Sequence, residues 1–237
     1  MSLDMALLDR AEEDGNGWLR LYQWAPHCLS FGRHEPASRS YDIERIRTLG
    51  LDTVRRPTGG RAVWHAHELT YAVAAPSCVF GSLRAAYLAI HQLLGEALGS
   101  LGIQTSLAPR VRTAGLDSGG CFSQPVGGEV LAGKRKIVGS AQLRRGTAFL
   151  QHGSILLDGD QGLVAQLRRN PAVTDEAPGT TRWKSHRTAP EVANRIAEFA
   201  AFQWPVDWER VTSADQLLHA ASSHYPQFQS STWTWAR

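Results

Sequence analysis

The chain has 237 residues, of which 43% are hydrophobic and 20% charged, so it can bury a sizeable core in one large domain. Its formal net charge of +3 comes without a long Lys or Arg run, which gives no support for nucleic-acid binding and is compatible with an acidic protein partner. The three cysteines, Cys28, Cys78 and Cys121, are odd in number and widely spaced, which argues against a disulfide framework and against a zinc site.

The start of the chain is acidic rather than cationic. Acidic side chains at Asp4, Asp9 and Glu12 do not fit a secretory signal. Nowhere does an apolar run approach the roughly 20 residues that a membrane-spanning helix needs. We therefore expect a cytoplasmic protein that has no membrane partner.

The first part of the chain alternates between helical and strand-like patterns. Apolar residues at helical spacing predict helices at 3–12 and 41–49. Short apolar segments bounded by Gly and Pro predict a series of strands. These predicted strands are 18–24, 28–31, 52–56, 61–64 and 69–74.

The second part begins with the clearest predicted helix, 82–101, whose leucines and alanines form one broad apolar face. Two polar segments, 105–128 and 171–187, are predicted as loops. Capping-box spacing at Thr188–Glu191 and at Ser213–Gln216 predicts two further helices. The remaining predicted strands are 129–131, 136–143 and 149–157. This interleaving favours an α+β fold with a mixed, largely antiparallel β-sheet packed with helices.

A basic glycine turn lies between two of the apolar strand-like segments. From Arg55 to His65 the sequence is Arg-Arg-Pro-Thr-Gly-Gly-Arg-Ala-Val-Trp-His. Gly59 and Gly60 permit positive φ and bring main-chain N–H groups close to a ligand, while the arginines can hold an anion. By itself the pattern fits an ordinary hairpin turn with solvated arginines equally well.

Two further motifs make the pattern more specific. Lys136–Gln142 is Lys-Ile-Val-Gly-Ser-Ala-Gln, and Leu150–Leu156 is Leu-Gln-His-Gly-Ser-Ile-Leu. Together with Arg55–Tyr71, these segments resemble the biotin/lipoate A/B protein ligase family, which contains lipoate–protein ligases and the octanoyltransferases of lipoate synthesis. The resemblance implies a single lipoate-ligase-like catalytic domain over residues 1–237, without an accessory C-terminal domain.

Cys121 indicates a branch of this family. Its context, Cys-Phe-x-x-Pro upstream of Lys136, resembles the octanoyltransferases that keep a ligase-like fold and use a cysteine. The resemblance implies that Cys121 takes an octanoyl group from octanoyl-acyl carrier protein as a thioester. A lysine of a lipoyl domain, in the glycine cleavage H protein or in the acyltransferase subunits of 2-oxoacid dehydrogenases, would then receive the group as an amide.

Thioester exchange is nearly isoenergetic and amide formation is downhill, so neither ATP nor another cofactor or metal is expected. Cys121 is the implied nucleophile, and Lys136 its charge or acid–base partner, because a nearby ammonium favours a thiolate. The implied substrate-binding residues are Arg55, Arg56, Thr58, Gly59, Gly60, His65, Gly139, Ser140, Ala141, His152 and Gly153.

Several of these residues have a more specific expected role. Main-chain N–H groups near Gly139 and Ser140 are expected to form an oxyanion hole. His65 and His152 are expected to line the pocket or to assist proton transfer. The residues expected to enclose the eight-carbon chain, at about 0.8 kcal/mol per buried CH₂, are Val63, Val138 and Ala141.

Two positions depart from the family pattern. Val126–Glu129 stands where the cysteine branch has Ser-x-Tyr-Glu, so that only Glu129 survives. Ala66 stands where an Asp commonly follows the histidine, which suggests that His65 lacks a hydrogen-bonding partner to orient it.

Three other functions remain compatible with the sequence. An ATP-dependent lipoate–protein ligase would use the glycine turn and Lys136 to hold a lipoyl-adenylate. An amidotransferase would use the same cysteine with a lipoylated protein as donor. A carrier-binding or regulatory protein would keep the fold without turnover.

Overall fold

Short strands alternate with helices along the chain, as the sequence predicts. A computed structural model describes residues 1–109, 122, 127–159, 161–170 and 183–236. The helices of the described part are α1 (Ser2–Glu13), α2 (Ala37–Ser40), α3 (Ile43–Thr48), α4 (Leu83–Ser100), α5 (Gly162–Gln166), α6 (Ala189–Gln203), α7 (Asp215–Ser222), α8 (Tyr225–Gln229) and α9 (Ser231–Thr234).

The strands complete an α+β fold, which confirms the predicted class. They are β1 (Trp18–Tyr22), β2 (Cys28–Phe31), β3 (Asp52–Arg55), β4 (Val63–His65), β5 (Glu68–Pro76), β6 (Thr105–Leu107), β7 (Val130–Ala132), β8 (Arg135–Lys136), β9 (Val138–Arg145), β10 (Ala148–Leu156), β11 (Asp158–Gly159) and β12 (Trp183–Lys184). The strands form not one sheet but several, in the orders β1-β5-β10-β9, β3-β2-β4, β6-β7-β8 and β11-β12.

The four-stranded sheet is antiparallel throughout and has the main core on one face. Alternate residues of a strand point to opposite faces. Leu69, Tyr71 and Val73 of β5 join the core that includes buried residues of α4 and α6. Ala72 and Ala74 join a second core that includes buried residues of α1. Since both faces of β5 are buried, its second half, residues 71–76, is a continuous apolar run rather than an alternating one.

The glycine turn between β3 and β4 is not a hairpin, so that alternative is wrong. Both strands pair with β2, β3 in parallel and β4 antiparallel. The turn therefore folds back over the end of β2. Gly32 makes this close approach possible, because a Cβ on Gly32 would lie 1.8 Å from the carbonyl oxygen of Gly60.

Three predicted segments differ from the structure, in each case because of pairing with a distant strand. The predicted strand 136–143 is divided at Ile137, whose N–H donates to the carbonyl of Val130 at 3.0 Å. Trp183–Lys184, in the predicted loop 171–187, pairs with β11. Thr105–Leu107, in the predicted loop 105–128, pairs with β7. Residues 110–121 and 171–182 of these two loops lie outside the described residues.

The predicted helix caps have different outcomes. Thr188 and Glu191 form a reciprocal capping box at the start of α6, as predicted. The second predicted box is wrong, because α7 begins after Ala214 without a side-chain cap and Ser213 donates instead to Asp215 at 2.9 Å. None of the helices in the described ranges combines the length and apolarity needed to cross a membrane.

Candidate active site

A cleft of about 380 Å³, including its open mouth, lies where β9, β10 and the glycine turn meet. Eight predicted substrate-binding residues line it, namely Arg56, Gly60, His65, Gly139, Ser140, Ala141, His152 and Gly153. The structure therefore brings three sequence-distant motifs together at one cleft.

Arg56 provides a fixed cation in the wall of this cleft. Its guanidinium donates to the main-chain carbonyls of Ser30 at 3.0 Å and of Arg61 at 2.7 Å, and also to the Ser30 hydroxyl. A weaker bond of 3.3 Å reaches the carbonyl of Gly59. Because main-chain atoms fix its position, Arg56 contributes a fixed positive charge to the wall of the cleft, and this charge favours a negatively charged group nearby.

His65 is oriented from both sides, which corrects the expectation drawn from Ala66. Its Nδ1 lies 2.9 Å from a carboxylate oxygen of Glu68, and its Nε2 lies 2.6 Å from the Ser30 hydroxyl. Thr70 also donates to the same oxygen of Glu68. Glu68 thus takes the orienting role that the sequence pattern assigned to the residue after His65.

His152 has a similar arrangement on the other side of the cleft. Its Nδ1 lies 3.1 Å from Asp4, and its Nε2 lies 2.6 Å from the hydroxyl of Thr58. Of the predicted substrate-binding residues, Thr58 does not line the cleft but contacts His152, which does. Gly59 also lies outside the cleft lining. Burial lowers the pKa of His152 and outweighs the opposing effect of Asp4, so the imidazole is neutral at pH 7.

Asp4, on α1, is a buried carboxylate that the sequence analysis did not place in the site. Burial would raise its pKa, but hydrogen bonding to His152 and the charge of Arg20 hold that pKa below its usual value. Arg20 donates to Asp4 at 2.6 Å, and Tyr22 donates at 3.2 Å. From the sequence, Asp4 is one polar residue of a predicted helix. Its contact with His152 arises only because α1 packs against β10.

Arg55 does not reach the cleft, and its predicted role in substrate binding is corrected. The side chain is 1% exposed, and main-chain carbonyls occupy all three nitrogens of its guanidinium. These carbonyls belong to Gly32, Arg33, Glu35, Trp233, Thr234 and Ala236. Arg55 therefore ties the segment after β2 to the C-terminal helix α9.

The apolar wall differs from the predicted one at one residue. Val63 and Ala141 line the cleft as expected, and Gly153 adds a further surface without a side chain. Val138 is instead fully buried in the core with α4 and α6, so its predicted contact with an acyl chain is wrong. The reason is the strand period, since Val138 and Gly139 face opposite sides of β9.

Lys136 and Glu129 form a buried ion pair near Phe122, the residue that follows the predicted nucleophile in the sequence. Their side chains are each 4% exposed, and the ammonium lies 2.7 Å from the carboxylate. The ammonium also lies 5.4 Å from the centre of the Phe122 ring. Cys121 lies outside the described residues, but its chain neighbour Phe122 is buried against Val63 and Leu156.

A buried histidine that the sequence analysis missed contacts Ser140 at the cleft. His91 lies on α4, where it is fully buried, and its Nε2 is 2.7 Å from the Ser140 hydroxyl. The hydroxyl of Tyr71 lies 2.6 Å from the same oxygen. The available signal was the position of His91 four residues after Tyr87 and three before Leu94, on the apolar face of the helix.

Comparison with known proteins shows the family to which the chain belongs. The model for the lipoyl protein ligase A/B catalytic domain matches residues 1–207. Octanoyltransferase LipM from Kyrpidia tusciae is 38% identical over 204 residues, which cover 83% of this chain and 72% of that relative. Octanoyltransferase LipM from Moorella thermoacetica is 39% identical over 164 residues, which cover 66% of this chain and 60% of that relative. The match thus spans less than two thirds of the second relative's length.

Solved structures show the same fold at low sequence identity. The crystal structure of lipoate-protein ligase A bound with ATP has a TM-score of 0.80 at 18% identity, covering 99% of this chain and 92% of that one. P. falciparum LipL1 in complex with lipoate has a TM-score of 0.75 at 15% identity, covering 100% of this chain and 70% of that one. Together with the family match over most of the sequence, these findings mean that the chain belongs to the lipoyl protein ligase A/B catalytic domain family.

Proposed function

We propose that this chain transfers an octanoyl group from octanoyl-acyl carrier protein to a lysine of a lipoyl domain, through a thioester on Cys121. The names and identities of the relatives favour octanoyl transfer. The observation that carries the role of Cys121 is the position of Phe122. Phe122, the chain neighbour of Cys121, is buried against Val63 of the cleft wall, and its ring centre lies 5.4 Å from the Lys136 ammonium, which supports the proposed role.

In the first step, the Cys121 thiolate attacks the carbonyl carbon of the donor thioester. A new C–S bond forms, the donor C–S bond breaks, and the carrier sulfur leaves as a thiolate. The Lys136 ammonium favours the thiolate and the developing oxyanion, and Glu129 holds that ammonium in place.

In the second step, the neutral ε-amine of the acceptor lysine attacks the Cys121 thioester. The C–N bond forms, the C–S bond breaks, and the sulfur takes the proton that the nitrogen loses. His152 borders the cleft, but burial lowers its pKa and Thr58 already lies 2.6 Å from its Nε2, so the incoming ammonium loses its proton to solvent before the attack. Val63, Ala141 and Gly153 supply the surface against which the acyl chain packs.

The acceptors we propose are the lipoyl domains of the glycine cleavage H protein and of 2-oxoacid dehydrogenase acyltransferase subunits. The reaction as written needs no ATP, metal or other cofactor. We place it in the cytoplasm, since Cys28 and Cys78 are free thiols, as is usual in a reducing compartment.

The test is intact-protein mass spectrometry after mixing the chain with octanoyl-acyl carrier protein in the absence of ATP. We expect one octanoyl group on the wild-type chain and none on Cys121→Ala, with Cys78→Ala as the matched control that keeps the adduct. Addition of an apo lipoyl domain should move the group to that protein. Normal transfer by Cys121→Ala, or transfer that requires ATP, would refute the proposal.

A further inference from the structure

A chain of buried and partly buried hydrogen bonds runs behind the cleft and ends at two main-chain carbonyls. It contains five side chains, which are Gln142, Gln151, Tyr71, Ser140 and His91. One end donates to the carbonyl of Leu83 at 2.8 Å, and the other contacts the carbonyl of Gly128 at 2.7 Å. Of the five, Ser140 is among the residues that line the cleft.

The two carbonyls fix the direction of every hydrogen in this chain. A carbonyl only accepts, so His91 carries its proton on Nδ1 and its Nε2 must accept from the Ser140 hydroxyl. At the other end, Gln142 donates to Leu83 and to Gln151, and Gln151 then donates to Tyr71. Tyr71 must therefore donate to Ser140.

The surroundings hold this arrangement in place. Tyr71, His91 and Gln151 are fully buried, and burial lowers the pKa of His91 to about 4, so its ring is neutral at pH 7. Gly153 leaves the space that Ser140 occupies, because a Cβ on Gly153 would lie 2.5 Å from the Ser140 hydroxyl oxygen. The hydroxyl of Ser140 thus has its proton directed to His91 and one lone pair directed to Tyr71.

We propose that His91 is a positioning residue that makes Ser140 a hydrogen-bond acceptor for an N–H of the incoming lysine amine. This inference rests on the proposed function and concerns its second step. An amine that donates an N–H to Ser140 keeps its own lone pair free to attack the thioester carbon. If the Ser140 proton pointed into the cleft, it would bond to that lone pair and oppose the attack.

The experiment separates the two half-reactions. Octanoyl-pantetheine first loads Cys121, and an apo lipoyl domain is then added in a single-turnover assay of transfer to lysine. The Asn side chain of His91→Asn reaches Gly128 but offers no acceptor to Ser140, whereas the carbonyl of His91→Gln reaches the Ser140 hydroxyl. We expect lysine transfer to be about tenfold slower in His91→Asn, the effect of one lost hydrogen bond, and largely restored in His91→Gln.

A double-mutant cycle tests whether His91 acts through Ser140. Ser140→Ala should slow lysine transfer to a similar extent, and adding His91→Asn should cause no further loss. Ser140 is only partly buried, so this variant tests the idea even if changes at His91 impair folding. Cys121 loading is measured first in every variant, and the rate of lysine transfer is expressed per loaded chain.

The outcomes distinguish this inference from the proposed function. Absence of an octanoyl thioester on wild-type Cys121 would refute the proposed function and this inference with it. Normal loading with lysine transfer at the wild-type rate in His91→Asn or Ser140→Ala would refute the inference alone. It would also be refuted if folded His91→Gln were as slow as His91→Asn, or if the double variant lost much more than either single one.

Discussion

Gly153 occupies a position that has no space for a side chain. A Cβ there would lie 2.5 Å from both the Gly139 carbonyl oxygen and the Ser140 hydroxyl oxygen, and 2.7 Å from the ring of Tyr71. The Gly139 carbonyl is held within β9, and the Ser140 hydroxyl is held by its hydrogen bonds to Tyr71 and His91, so neither can move aside easily. We expect Gly153→Ala to lower the free energy of unfolding by about 1–3 kcal/mol, measured by urea denaturation.

Gly59→Ala is the matched control for this prediction. A Cβ on Gly59 would meet nothing within 4 Å, and its φ is not positive. Its stability should therefore stay within about 0.5 kcal/mol of wild type. Equal stability of the two variants would contradict the account of Gly153.

Residue types in the motifs predicted most of the cleft lining but not the contacts behind it. His65 illustrates the limit, because its orienting partner Glu68 is brought close by a tight turn at His67, where φ is 52°. Arg55 and Arg56 illustrate it too. Adjacent residues of an extended chain point in opposite directions, so only Arg56 reaches the cleft while Arg55 binds carbonyls elsewhere.

At the scale of elements, α9 and the turn after β2 depend on Arg55. Its guanidinium reaches carbonyls of both segments, and the Trp233 indole donates back to the Arg55 carbonyl at 3.0 Å. A lysine cannot span these acceptors, because its ammonium is a point charge rather than a planar fork. We expect Arg55→Lys to lower the free energy of unfolding by about 3 kcal/mol, with faster amide hydrogen exchange in both segments.

The control for this element is Arg47→Lys, which alters an exposed pair with Glu44. Exposed ion pairs contribute little, so this change should remain within about 0.5 kcal/mol of wild type. An Arg55→Lys protein that is as stable as wild type, with unchanged exchange at α9, would show that the carbonyl contacts are not needed.

The elements themselves were largely predictable, whereas their partners were not. β2 and α4 follow the sequence pattern closely because each carries a strong local apolar signal. The parallel pairing of β2 with β3 and the packing of α9 against Arg55 depend on residues far apart in the chain. Local periodicity carries no information on such contacts.

At the scale of the whole molecule, buried titratable groups predict how stability depends on pH. The pKa of His91 falls from 6.5 to about 4 because the ring is buried. Between these values the unfolded chain binds a proton that the folded chain does not, so stability falls as the pH falls. Asp4 affects stability at lower pH. Its pKa is held below 3.8 in the folded state, so the stability it contributes is lost only as the pH falls below that value.

His152, whose pKa burial also lowers, affects stability in a pH range that overlaps that of His91, so the contribution of His91 is isolated by substitution. His91→Gln does not titrate, so the stability difference between wild type and His91→Gln should change by about 3 kcal/mol between pH 7 and pH 4, in the direction that favours wild type at pH 7. Urea denaturation at a series of pH values measures this difference. A constant difference would contradict the lowered pKa of His91 in the folded chain.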